Sequence, residues 1–125
     1  MTEQVVILAA RRSPIGAFQG ILAPVTAPQL GAAAARAALA DAVVPGDAVD
    51  EVVFGCVLPA GLGQAPARQV ALAAGVDARA PATTVNKMCG SGMKAVMFAS
   101  DQLRVGDTTV ALAGGIESMT NAPYL

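Results

Sequence analysis

Val5 to Ala10, VVILAA, is an unbroken apolar run with β-branched positions, and a run this short predicts a buried strand of a parallel sheet. It leaves through the turn-rich ARRSPIG, and the stretch on to Thr26 keeps neither a helical nor a strand period, so loop is expected there. A helix follows: Thr26 with Pro28 is a start signal, QLGAAAARAALADA is built of strong helix formers, and the pair Pro45-Gly46 stops it. Leu30, Ala34, Ala37 and Ala38 fall on one stripe, where small residues suit close approach to a sheet or a second helix.

Glu51 to Gly55 (EVVFG) predicts a second strand, and GCVLPAGLGQ after it a loop. Pro66 to Ala74 reads as a helix ended by Gly75, with Arg68 and Gln69 on its polar side, and Pro81 to Val85 as a third strand. From about Cys89 to Val105, Met93, Val96 and Met97 recur at helical spacing with Ser100 and Leu103, so a helix with Met93 and Met97 in the core is expected, ended by Gly106. Thr109 to Ala113 predicts a fourth strand, Gly114-Gly115 a turn, and IESMTNAPYL neither element. Strands alternating with helices predict an α/β domain with a mostly parallel sheet and right-handed crossovers.

Composition narrows the class. Of 125 residues 54% are hydrophobic, 3% aromatic and 14% charged, so the apolar content is mainly small and aliphatic, which suits close packing and argues against disorder. A net charge of -1 with scattered basic residues leaves no footprint for nucleic acid or an anionic membrane. The charge-free stretch Ser13 to Ala35 is interrupted by Pro14, Pro24, Pro28 and polar residues, so no membrane span is expected. MTEQVVILAA lacks a basic leader region, and a cytoplasmic setting is expected. Cys56 and Cys89 lack metal-ligand spacing and are expected as free thiols.

Candidate chemistry centres on NKMCGSGMKA, Asn86 to Ala95. With a strand ending near Asn86 and a helix starting at or just after Cys89, the sulfur would sit where unpaired backbone N–H groups and the helix dipole favour a thiolate. Gly90 and Gly92 remove two Cβ atoms beside it, so a bulky thioester could approach the backbone and its N–H groups could face an oxyanion. A cysteine nucleophile normally has a histidine base, and the chain contains no histidine. Three readings stay open: an inert buried cysteine, a nucleophile served by the helix dipole alone, or one whose base lies on other polypeptide. The lack of a closing element after Gly115 favours the third.

Several motifs in order resemble the thiolase family. NKMCGSGMKA resembles the segment around its acyl-accepting cysteine and GGIESMTNAPYL the end of its fourth strand, while RRSPIGAFQG and GQAPARQVALAAG match in sequence order. The resemblance spans Val5 to Leu125. It implies a thiolase-like α/β fold, the first βαβαβαββ half of a layered αβαβα architecture, incomplete in this chain. Residues 1–117 would form a partial N-terminal domain and 118–125 the start of an inserted loop domain.

The implied activity is an acyltransferase of acetyl-CoA acetyltransferase type. Cys89 would accept an acetyl group, and a second acetyl-CoA would attack it to give acetoacetyl-CoA and CoA, with thiolysis as the reverse. The form CGSGMKA resembles short-chain biosynthetic members more than degradative ones, whose motif reads CSSGLQA; a degradative 3-ketoacyl-CoA thiolase and a non-catalytic interaction fragment are the alternatives. The family's histidine and second cysteine lie in its C-terminal half, so this chain alone is expected to be inactive and to need the rest of the enzyme as continuing or companion polypeptide. No cofactor or metal is implied, coenzyme A thioesters being substrates, and family members form homo-oligomers, dimers or tetramers.

The remaining candidates receive supporting roles. Cys56 is expected to be structural. Asn86, with Gly90 and Gly92, is a candidate support of the nucleophile loop, its alternative and favoured role being to cap the helix; Glu117 is expected to hydrogen-bond loop backbone, Lys87 and Lys94 to face solvent, and Arg11 and Arg12 to be structural rather than substrate-binding.

Overall fold

The computed structural model describes residues 4–125; the expected domain start at residue 1 therefore lies outside the described residues. Three parallel strands form the sheet: β1 (Glu51–Gly55), β2 (Ala82–Val85) and β3 (Ala111–Gly115), in the order β2-β1-β3. Val52 is level with Ala82 on one side and Leu112 on the other, and Gly55 with Val85 and Gly115. β1, buried along its whole length, is the centre of the domain. Its entrance is fastened by Asp50, whose carboxylate accepts from Thr109 N–H (2.8 Å) and Val110 N–H (2.9 Å). Those two bonds, Val110's first, hold the Asp50 carboxyl below the usual carboxylate range.

Helix α1 (Ala27–Ala42) begins as predicted. Thr26 accepts from Gln29 N–H, and the Gln29 side chain reaches back to Thr26 N–H at 2.9 Å, a reciprocal cap with Pro28 in the first turn. Its buried residues are Ala27, Pro28, Gly31, Ala32 and Ala35, a stripe rotated from the predicted Leu30, Ala34, Ala37 and Ala38. Gly31 sets that rotation: a Cβ there would run into Ile116 and come within 2.9 Å of Val70 Cγ2, so α1 approaches at the one position without a side chain. Helix α2 (Pro66–Ala73) packs against α1, β1 and β2 and ends at Gly75 with φ +86°. Arg68 donates to Ala80 O and Ala78 O, and Gln69 to Leu62 O and Gln64 O, so this polar side fastens loops.

Val52, Phe54, Cys56 and Val70 build the core with α1 and α2. Strand alternation turns Val53 to the opposite face, where helix α3 (Ser91–Val105) packs on β1 and β3. The face of α3 corrects the expectation. Ser91, Ala95 and Ala99 are buried, while Met93 and Met97 are 74% and 50% exposed. Small side chains let the helix backbone lie close to the sheet, and the larger apolar residues are turned outward.

Two predicted strands differ as well. β3 runs two residues later than the predicted Thr109–Ala113, and Gly114-Gly115 is strand rather than turn. A Cβ on Gly114 would meet the Phe54 ring at 2.9 Å, so glycine lets β3 continue past that ring. Val5–Ala10 forms no strand and has no ladder partner among the described residues; Ile7 is 81% exposed. Apolar, β-branched composition favours a strand only where a sheet edge is within reach. The segment after it is tied down elsewhere: Arg11 pairs with Asp41 on α1, Thr120 Oγ accepts from Gln19 N–H, and Asn121 Nδ2 donates to Ala23 O and Val25 O.

Candidate active site

Because the three strands are parallel, their C-terminal ends open onto one rim of the sheet, where ligands of open α/β sheets commonly bind. The chain leaves β1 at Cys56, β2 at Asn86 and β3 at Ile116. Cys89, on the connection from β2, borders one hollow with Val57 after β1 and Ile116 after β3. It precedes the N-cap Gly90 and lies outside α3, which begins at Ser91, just after Cys89.

A tight, hydrogen-bonded turn holds it. Gly90 N–H donates to Lys87 O (3.1 Å) and Ser91 N–H to Met88 O (3.0 Å). Met88 has φ +48°, a left-handed conformation costing a non-glycine residue of order 1–3 kcal/mol. Its polar atoms are all engaged: Met88 N–H donates to Asn86 Oδ1 at 2.9 Å, and Met88 O also accepts from Ser91 Oγ at 2.6 Å. Ser91 Oγ in turn accepts from Lys87 N–H at 2.8 Å. Ser91 is buried and polar, and a serine between two glycines carries no sequence signal that distinguishes this bracing role from an ordinary turn.

Asn86 is no helix cap, since Gly90 holds that position, which corrects the capping expectation and leaves the other reading, support of the loop. With α3 starting five residues later, its side chain instead bridges two loops, accepting from Met88 N–H and donating to Val57 O at 3.3 Å. The glycines divide their work. A Cβ on Gly55 would lie 2.6 Å from Gly92 N, and one on Gly115 would lie 3.1 Å from Gly92 Cα, so α3 begins backbone to backbone on the ends of β1 and β3. A Cβ on Gly92 itself would meet Gly115 Cα at 3.5 Å, an ordinary contact, so the tight positions of this approach are Gly55 and Gly115. Gly90 N–H is already bonded to Lys87 O, whereas the N–H groups of Cys89 and Gly92 find no acceptor among the described residues.

Cys89 is exposed and Cys56 buried, and both are free thiols. Beside Cys89 lies an open depression of about 290 Å³, lined among others by Val57, Met88, Gly92 and Glu117. Gly115, Ile116 and Glu117 also border a second hollow, of about 350 Å³, which Arg11 and Arg12 line from the other side. Half-buried Glu117 binds loop backbone as expected, accepting from Val57 N–H (2.9 Å) and Leu58 N–H (3.0 Å), with the Cys56 thiol 3.8 Å away. Burial, and after it the charge of Glu117, pushes the Cys56 thiol above its ordinary range. Lys94 lies over the Phe98 ring at 4.5 Å, partly covered rather than fully solvated.

Comparison with known proteins gives a consistent set. Residues 5–125 match the family described as "Thiolase, N-terminal domain". The chain is 52% identical over 122 residues to the mitochondrial acetyl-CoA acetyltransferase of Xenopus tropicalis, covering 98% of this chain and 29% of that protein. It is 53% identical over 127 residues to the acetyl-CoA acetyltransferase of Saccharomyces cerevisiae, covering 99% and 32%. Against that of Cupriavidus necator the figures are 50% over 125 residues, covering 100% and 32%. The crystal structure of Acat5 thiolase from Ascaris suum in complex with coenzyme A superposes with a TM-score of 0.93 at 38% identity, covering 95% of this chain and 31% of that one. The chain thus spans under a third of the length of these relatives.

Proposed function

The chain belongs to the thiolase family, and from that premise we propose that it carries the acyl-accepting cysteine of an acetyl-CoA acetyltransferase, with Cys89 as the nucleophile. The observation that carries this reading is the place of Cys89: exposed on a strained turn between β2 and α3, beside an open hollow. The chemistry follows the thioester. Sγ of Cys89 attacks the acetyl carbonyl carbon of acetyl-CoA, the bond from that carbon to the CoA sulfur breaks, and the proton lost from Cys89 ends on the CoA thiol. The N–H groups of Cys89 and Gly92 are candidate donors to the oxyanion formed on the way. A second acetyl-CoA, deprotonated at its methyl carbon, then attacks the acetyl-cysteine; a carbon–carbon bond forms, the Cys89 thiolate leaves, and acetoacetyl-CoA is released.

Proton transfer in both steps calls for groups that this chain does not contain, so complete turnover is assigned to an assembly with further polypeptide of the same enzyme, as a homo-oligomer in the cytoplasm. Residues 118–125 would open its inserted loop domain. Incubation with labelled acetyl-CoA, followed by peptide mapping, tests the reading. Label on the peptide containing Cys89 is expected. Label on Cys56, or none on either thiol in a preparation active in acetoacetyl-CoA synthesis, would refute it.

A further inference from the structure

Glu117 reaches Cys89 without touching it. Its two oxygens accept from consecutive N–H groups, Val57 at 2.9 Å and Leu58 at 3.0 Å, in the loop leaving β1. The carbonyl of Val57 accepts from Asn86 Nδ2 at 3.3 Å, and Asn86 Oδ1 accepts from Met88 N–H at 2.9 Å. Met88, held at φ +48°, is bonded directly to Cys89. The three loops at the rim are thus tied in series, from β3 through β1 to β2, and the series ends at the residue before the sulfur.

We propose that Glu117 is a positioning residue for Cys89, acting through Val57 and Asn86 to hold the Met88 turn. The inference rests on the reading of Cys89 as the acyl acceptor. A carboxylate suits this place because it is acceptor-only at both oxygens and faces two adjacent donors. Glutamine would keep one acceptor and turn an NH2 group towards the second N–H. Holding a half-buried carboxylate costs desolvation that these two amide bonds offset, and it gains a loop whose carbonyl is aimed at Asn86. Glu117 also lines the hollow beside Cys89, so the group that orders the turn stands in the wall of the same site.

The test compares the rate of Cys89 acetylation by labelled acetyl-CoA in the wild type, Glu117→Gln, Asn86→Ala and the double variant. Each single variant is expected to load about tenfold to a hundredfold more slowly at saturating acetyl-CoA, the scale of a displacement of roughly 1 Å, with the half-saturating concentration nearly unchanged. The double variant is expected to be no slower than the slower single, because both substitutions break one chain. Wild-type loading in Glu117→Gln, or losses that multiply in the double variant, would overturn the proposal. Should Glu117→Gln fail to fold, Glu117→Asp draws the carboxylate back from the two N–H groups, and wild-type loading there overturns the proposal equally. The amide resonances of Met88 and Cys89 read the series without any acyl transfer: Glu117→Gln or, failing that, Glu117→Asp should shift both, and unmoved resonances refute the relay. A wild type that takes up no label sinks the acyl-acceptor reading instead, and the resonances still decide the role of Glu117.

Discussion

Cys56 and Cys89 each follow a strand of the same parallel sheet, and the chain treats them in opposite ways. Cys56 comes directly after β1, is 1% exposed among Val52, Phe54 and Val70, and has a carboxylate near its sulfur. Cys89 comes four residues after β2, carried past the rim by a turn in which the N–H and the carbonyl of Met88 are both bonded, and it opens on a hollow. What separates a packing thiol from a candidate nucleophile here is the connection that follows the strand. A loop folding back onto the core buries its sulfur; a strained turn braced by Ser91 and Asn86 presents it.

The largest effect on this contrast is expected from removing one thiol at a time. Cys89→Ala should lower acetyl loading by at least about a thousandfold, as loss of a nucleophile does, while Cys56→Ala should leave it within a few-fold; labelled acetyl-CoA and peptide mapping decide. Next is chemical access. Iodoacetamide should modify Cys89 at least about a hundredfold faster than Cys56 in the folded chain, and the two should converge in denaturant. Near-equal rates in the folded chain would dissolve the comparison.

Gly55→Ala attacks the support beneath the turn. A methyl group there is driven into Ser91 and Gly92, so about 1–3 kcal/mol of stability should be lost in a denaturant titration, with slower loading of Cys89. The smallest effect concerns pH. The Cys56 pKa is raised in the folded state, so the thiol keeps its proton where the unfolded chain has lost it. That stability is fully present below the unfolded thiol's pKa and is lost as pH rises through it towards the folded value. Denaturation midpoints between about pH 8 and 11 should therefore fall more steeply in the wild type than in Cys56→Ala, by at most about 1.4 kcal/mol per pH unit.

Local signals were the legible ones. The Thr26 and Gln29 cap, β1 and the ends of α2 and α3 at Gly75 and Gly106 could be read because each is decided within a few residues. Val5–Ala10 was misread because a strand is a property of two segments, and its own composition names no partner. The face of α3 was misread because periodicity ranks positions by hydrophobicity, whereas the sheet selected by size, taking Ala95 and Ala99 before Met93 and Met97. At the site, Cys89 and the backbone-bonding role of Glu117 were visible in the motifs, and the pairing of Asn86 with Val57 was not, since residues 29 positions apart meet only once the sheet has formed.

Gly55, Gly92 and Gly115 bring bare main chain against bare main chain under the Met88 turn. The height of the sulfur above the rim is thereby set largely by main-chain thickness, with little side-chain volume in the stack to drift. Hydrophobic exchange elsewhere in the interior can retune rigidity or heat tolerance while the sulfur keeps its elevation, and added side-chain volume should be tolerated least at Gly55 and next at Gly115.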